Sequence, residues 1–390
     1  MGRATPGPAY EVPFNRPHTV GTEMAYIGEA VAASHLSASG PFSRRCADWL
    51  EERLGSRRAL LTHSCTGALE MTVLLSDIGV GDEIIMPSFT FVSTANAFAL
   101  RGAVPVFVDI REDTLNLDEA LVEAAITPRT KAIVAVHYGG ICCDMDALLA
   151  IADRHGLIVI EDAAHSVLST YRDRPLGALG DLGTLSFHET KNVISGEGGA
   201  LLVRDEALVE RAEILLEKGT NRSAFLRGDV DKYTWVDLGS SFGASEITAA
   251  FLWAQLERAE DITRRRLEVW EAYHREFAEL EALGALRRPV VPAECRHEGH
   301  LYYLLAPSRE WRDTMIDRLR QDGVQAVFHY VPLHSAPAGR RHGRCAGDLD
   351  VTEEMSGRLL RLPLWVDMQD EHVERVVAGT RAAVADFAAV

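Results

Sequence analysis

The sequence predicts a large α/β domain built on a mostly parallel sheet, followed by a smaller α+β domain. Two features carry this expectation. Between positions 58 and 203, seven short apolar runs alternate with helix-length amphipathic runs. The runs are continuously apolar, as strands must be when helices cover both faces of their sheet. Beyond about residue 206 that alternation gives way to a long polar and helical region and then to a mixture of strands and helices. The expected division is an arm over residues 1–20, a large α/β domain over 21–260 and a small α+β domain over 261–390.

In chain order, a proline-rich arm leads to a helical stretch over 21–33, a small-residue loop, SASGPFSRR, and a second helix ending near Leu54. The loop covers a site or merely connects. The strand candidates are 59–63, 82–86, 104–109, 131–137, 157–162, 183–188 and 199–203. Helical patterns such as NLDEALVEAAI and MDALLAIADRHG lie between them. A single long helical region over 244–283 is expected to link the two domains. Strands at LYYLLAP and VQAVFHYVPL, with the helix EWRDTMIDRLRQDG between them, build the last part.

Composition narrows the function. A chain of 390 residues that is 47% hydrophobic can bury a large core, and its net charge of −17 comes without any basic block. Sequence-independent nucleic-acid binding is not expected, because it needs clustered Lys and Arg. Six scattered cysteines show no metal-ligand spacing, so free thiols in a reducing cytoplasm are expected and a structural metal is not. No signal-peptide core opens the chain and no apolar run is long enough for a membrane span.

Four stretches hold the candidate chemistry. Only four of the 40 basic residues are lysines, and one of them, Lys191, sits in SFHETKNVISGEGGA before a glycine-rich turn. LIVIED ends in Glu161 and Asp162, followed by AAHS with His165; Asp162 serves equally well as a helix cap. SCTGALEM places Ser64, Thr66 and Gly67 at a helix start, where free amides can cradle a phosphate. PSFTFVSTANAF brings Phe89 and Phe91 to another helix start, each either a core residue or a ring stacked on a flat cofactor. A phosphate cradle, an aromatic face, a strand-end acid and a lone lysine are what a pyridoxal phosphate site requires.

The stretches PFNRP, SCTGALEM, PSFTFVSTANAF, EDAAHS, SFHETKN, EKGTNRS, DKYTWVDLGSS, AVFHYVPLHSAPAG and LLRLPLW also carry a resemblance over almost the whole chain. The sequence resembles the DegT-type sugar-nucleotide aminotransferases, enzymes of the aspartate-aminotransferase-like type I fold. Within them it is most similar to the dTDP-4-amino-4,6-dideoxygalactose transaminases. The resemblance implies pyridoxal 5'-phosphate as cofactor and Lys191 as its covalent anchor and the proton-moving base. It makes Asp162 the partner of the ring nitrogen and His165 a neighbour of the ring or its hydroxyl. Thr66, Gly67 and Ser186 become phosphate ligands, and Phe91 rather than Phe89 the stacking ring.

Where many members carry Asn and Arg, this chain has GSSFGAS. Ser241 therefore takes the phosphate role across the subunit interface, and Arg222 is the candidate for the donor carboxylate or else an exposed loop arginine. His329 and Tyr330 either line the sugar-nucleotide pocket or end a buried strand. The implied reaction moves the amino group of glutamate, which leaves as 2-oxoglutarate, to C4 of dTDP-4-keto-6-deoxyglucose, with a galacto or gluco product. A homodimer or larger homo-oligomer with shared sites follows from the same resemblance. Three other readings stand beside it. These are a related dehydratase, which has histidine in place of the lysine, a 3-ketosugar aminotransferase, and a catalytically silent binding protein of the same fold.

Overall fold

The computed structural model describes residues 10–388, so positions 1–9 of the expected arm lie outside the described residues. The first two helices, α1 (Glu23–Ala32) and α2 (Pro41–Leu54), precede strand β1 (Arg58–Thr62). There follow α3 (Cys65–Leu75), β2 (Glu83–Pro87), α4 (Val92–Ala99), β3 (Val104–Val108), α5 (Glu119–Ala125), β4 (Thr130–Val136), α6 (Met145–His155) and β5 (Ile158–Asp162). Two short strands, β6 (Thr170–Tyr171) and β7 (Arg174–Pro175), come before β8 (Leu182–Ser186) and β9 (Gly199–Val203). Helices α7 (Glu206–Leu216), α8 (Arg222–Arg227), α9 (Glu246–Leu256), α10 (Ala259–Glu276) and α11 (Ala278–Ala282) follow. The chain closes with β10 (Cys295–Arg296), β11 (Tyr302–Leu305), α12 (Arg309–Gln321), β12 (Val327–Phe328), α13 (Pro337–His342), β13 (Arg344–Cys345), α14 (Asp350–Arg358), β14 (Leu359–Leu362) and α15 (Asp370–Ala388).

The main sheet runs β1-β9-β8-β5-β4-β2-β3-β13. All neighbours are parallel except β9, which lies antiparallel between β1 and β8. The fold is thus α/β with a large, mostly parallel sheet, and its strands are buried on both faces as their apolar runs require. The seven expected strands are the first seven long ones. The eighth, β13, was not expected: two residues long and only partly buried, it carries no apolar pattern.

A three-stranded antiparallel sheet, β11-β14-β12, organises the C-terminal part. Its core gathers Tyr273, Tyr302, Leu360 and Trp365, and also Val12 from near the chain's start. Val12 is held there by backbone hydrogen bonds with Gly323 and Gln325 (3.1 and 2.9 Å). The strand expected across VQAVFHYVPL shortens to Val327–Phe328. The single helical region expected over 244–283 is three helices, broken near Arg258 and Phe277. Its first piece is buried nearly all round. The second carries Ile262, Arg266, Val269, Trp270 and Tyr273 as one buried stripe, so the two must point differently to satisfy different neighbours.

Two buried carboxylates fix the frame. Glu246 of α9 accepts from the N–H groups of Gly40, Phe42 and Ser43 (3.1, 2.7 and 2.9 Å), closing the open N-terminus of α2. The small-residue loop before α2 is therefore a connection held by a distant cap. At the end of β5, Glu161 accepts from His137 Nε2 (2.9 Å) and from the N–H groups of Gly177, Leu179 and Gly180 (2.8, 2.7 and 2.7 Å). Burial pushes the Glu161 carboxyl up, but the bonds from His137, Gly180 and Gly177 outweigh it and hold the group below its ordinary value. Among the described residues no helix is long and apolar enough to cross a membrane, and no cluster of His, Cys, Asp and Glu is arranged to hold a metal.

Replacing Glu161 by Ala strands His137 and three N–H groups in the interior. It should lower the unfolding free energy by about 3–5 kcal/mol, read by chemical denaturation. A midpoint equal to that of the unmodified chain would show that this carboxylate does not hold the carboxyl end of the central strand β5 in place.

Candidate active site

The carboxyl ends of β1, β2, β4, β5 and β8 open onto one cleft of about 490 Å³, the position where ligands collect in such sheets. Beyond β1 the chain turns into α3 with Ser64 as its N-cap, the Ser64 Oγ accepting from Gly67 N–H (3.1 Å). Gly67 thus spends its amide inside the cap. Its missing Cβ makes room for the His63 ring, which such an atom would meet at 2.9 Å. The amides left open at the first turn are those of Cys65 and Thr66, both lining the cleft. Gly199 packs directly against them, since a Cβ there would lie 2.4 Å from the Cys65 nitrogen. The glycine-rich turn after Lys191 therefore lets β9 touch the helix start as well as reverse the chain.

Asp162 projects into the cleft on the side opposite Glu161, as alternation along β5 demands. Its Oδ2 accepts from the buried Thr94 hydroxyl (2.7 Å), which is also bonded to Thr90 (2.9 Å), and its Oδ1 accepts from Ala164 N–H (3.2 Å). Lys191 is half-buried in the same cleft, on the loop after β8. Burial pushes its amine down to about 8, although Cys65 and Asp162 pull the other way. Ser186, at the end of β8, and Thr66, bonded to Ser93 (2.8 Å), complete one wall.

On another wall the His165 ring stacks on His300 (4.1 Å between centroids, 21° apart) and accepts Gly139 N–H at Nδ1 (3.2 Å). His329 bonds to the Tyr138 hydroxyl (3.0 Å), and Tyr330 meets Phe89 edge-on. Phe89 is core, 1% exposed, whereas Phe91 stands 58% exposed at the cleft as the N-cap of α4.

Eight of the residues to which the resemblance gives a site role converge here: Thr66, Phe91, Asp162, His165, Ser186, Lys191, His329 and Tyr330. Gly67 lies just behind the wall. Ser241 is exposed outside the cleft of a single chain, and Arg222 opens α8, ion-paired with Glu217 (3.0 Å). Sequence reasoning missed Arg361 on β14. Its Nε is buried with no hydrogen-bond partner among the described residues, and its guanidinium lies 4.6 Å from the centre of the Phe14 ring. A signal existed, because an arginine amid leucines in LLRLPL marks a charge inside an apolar strand. Arg266, the other cleft arginine, gives its protons to the carbonyls of Gly299, His300 and Leu364. It is a structural strut, whereas Arg361 keeps an Nε without a hydrogen-bond partner among the described residues.

An amine with a lowered pKa, a carboxylate in the same cleft and open helix-start amides fit the donor set that pyridoxal phosphate requires. The chain matches the DegT/DnrJ/EryC1/StrS aminotransferase family over residues 18–381. It belongs to this family. The family's cofactor is pyridoxal 5'-phosphate, and the residues in the cleft fit it. Across 381 residues the chain is 36% identical to the spore coat polysaccharide biosynthesis protein SpsC of Bacillus subtilis, covering 96% of this chain and 97% of that one. Among solved structures it is similar to the aminotransferase TlmJ of Streptoalloteichus hindustanus (TM-score 0.87, 32% identity, 98% of this chain and 99% of that one). DesV of S. venezuelae, solved with a ketimine intermediate, is similar at TM-score 0.85 and 31% identity, covering 93% and 94% of the two chains.

Attachment of the cofactor requires a neutral lysine. The rate at which cofactor-free protein takes up pyridoxal phosphate should rise with pH up to about 8 and then level off, following Lys191. Stopped-flow absorbance reads this directly. A rate still climbing into the ordinary lysine range would contradict the lowered amine, and Lys191→Ala should take up no cofactor covalently.

Proposed function

We propose that this aminotransferase moves the amino group of glutamate to C4 of dTDP-4-keto-6-deoxyglucose, releasing 2-oxoglutarate and a dTDP-4-amino-4,6-dideoxyhexose. The observation that carries the reading is one cleft that brings Lys191 and Asp162 together and adds Arg361, whose Nε has no hydrogen-bond partner among the described residues. A sugar acceptor is supported by the polysaccharide role in the name of SpsC, and the dTDP-sugar by the motif resemblance of EDAAHS, SFHETKN and DKYTWVDLGSS.

Bound pyridoxal phosphate supplies a carbonyl for the amino group and an electron-accepting ring. Lys191 anchors it, then shuttles a proton at the donor's α-carbon and later at C4 of the sugar. Asp162, aimed by Thr94, partners the ring nitrogen. The amides of Cys65 and Thr66, with the hydroxyls of Thr66 and Ser186, take the phosphate at the start of α3. Phe91, exposed at the cleft, would stack on the ring. Arg361, rather than Arg222, takes the donor carboxylate, because a guanidinium fork fits that group and Arg222 is already paired. His329 and Tyr330 border the space for the sugar.

The segment over 222–241 exposes Leu226 (65%) and Trp235 (75%), with Phe225, Tyr233 and Val236 also exposed. An apolar stretch of this kind marks an interaction surface. We assign it to a second copy of the chain, which would also bring Ser241 to the neighbouring phosphate. Sedimentation should give a dimer or larger species, and Trp235→Asp should dissociate it with loss of turnover. A monomer of full activity would reject the shared site.

Incubation with the cofactor, glutamate and dTDP-4-keto-6-deoxyglucose, followed by NMR of the product, should show an amino group at C4, and the coupling pattern reads the galacto or gluco configuration. Amination of a 3-keto sugar instead would overturn the regiochemistry. Arg361→Leu should lower kcat/KM for glutamate by about 100-fold, the weight of one buried charge-assisted pair. The half-reaction with the amino sugar should change far less. Equal losses in both halves would remove Arg361 from donor recognition.

A further inference from the structure

Asn192, the residue after Lys191, is buried and both ends of its amide are committed. Its Nδ2 donates to the Glu298 carbonyl (2.9 Å), which turns Oδ1 toward His300 Nδ1 (3.0 Å). An amide oxygen can only accept, so His300 carries its proton on Nδ1. The His300 ring, fixed in this way, is the platform on which His165 stacks.

His165 receives the Gly139 N–H at its own Nδ1, so that nitrogen must be bare. Burial, reinforced by the cations Lys191 and Arg361, holds His165 well below its ordinary pKa, and the ring is neutral. Its one proton then resides on Nε2, the donor that His165 can offer to the cleft it lines. Tyr138 and His329 also face this ring, and neither of them alters the assignment of its two nitrogens.

We propose that Asn192 is a positioning residue which, by fixing the His300 ring, holds the His165 Nε2–H as a hydrogen-bond donor to the phenolic oxygen of bound pyridoxal phosphate. The proposal rests on the cofactor assignment above and adds to it an assigned tautomer on each histidine. Its chemical consequence is specific. A donor at that oxygen stabilises negative charge there, and so favours loss of the proton shared between the oxygen and the nitrogen joining the cofactor to Lys191.

The test is a pH titration of the visible absorption band of the cofactor-loaded protein without substrates. His165→Ala should raise the pKa of the band by about one to two pH units, the effect of one hydrogen bond to a charged oxygen. Asn192→Ala should raise it in the same direction, and the double variant no further than His165→Ala alone. An unshifted band in His165→Ala removes the donor. A shift in His165→Ala but none in Asn192→Ala removes the relay. A wild-type protein that forms no visible band would instead refute the cofactor assignment. Nitrogen-15 NMR of histidine-labelled wild-type protein, with and without cofactor, needs no variant to fold beyond the substitutions used for assignment. It should show His165 protonated at Nε2 and His300 at Nδ1, and the opposite tautomer on either ring overturns the proposal.

Discussion

At the end of β5, four hydrogen-bond donors converge on the buried carboxylate of Glu161, and the geometry of the cleft depends on that convergence. Successive side chains of a strand point to opposite faces. Once Glu161 is tied to His137 and to the 177–180 loop, Asp162 has no choice but to face the cleft. The same tie holds the turn after β4, from which Gly139 bonds to His165, and it seats the loop that leads into β8 and Lys191. A structural acid thus sets the direction of a functional one.

Electrostatics in the cleft oppose those of the whole chain. The protein carries a formal charge of −17, yet Lys191, Arg266 and Arg361 are gathered around one cavity. Among them the labour is divided by hydrogen bonding. Arg266 is consumed by three backbone carbonyls, Lys191 is displaced toward neutrality by burial, and Arg361 keeps an Nε unpartnered among the described residues. A cationic pocket within an acidic surface admits anionic ligands while discouraging non-specific anion binding elsewhere.

Much of this was legible in the sequence because it is local. Continuous apolar runs marked the long strands, and a lone lysine before a glycine-rich turn marked Lys191. Ser64 was legible as a cap, although its cap consumes the Gly67 amide that sequence reasoning reserved for phosphate. Features that depend on distant pairing were not legible. The ring of His300 matters through its bond to Asn192, 108 positions earlier, and Arg361 matters because β14 carries it to the cleft. No local pattern announces the pairing of His300, and the arginine amid leucines in LLRLPL marks a buried charge without saying which cleft it reaches. The break between α9 and α10 likewise arises from two different sets of neighbours, with neither proline nor glycine at the joint.

The placement of Val12, Phe14 and Asn15 ties residues distant in sequence into one wall. Val12 exchanges backbone bonds with Gly323 and Gln325, Phe14 N–H is received by the Gln325 side chain, and Asn15 reaches the Glu189 carbonyl beside the lysine loop. The Phe14 ring then lies against Arg361. Val12 and Phe14 therefore find their partners only when the segment at 323–325 and strand β14 are in place. Contacts such as that of Phe14 with Gln325 span 311 positions, so a chain cut before β14 would retain Lys191 but lose the wall of its cleft that holds Arg361.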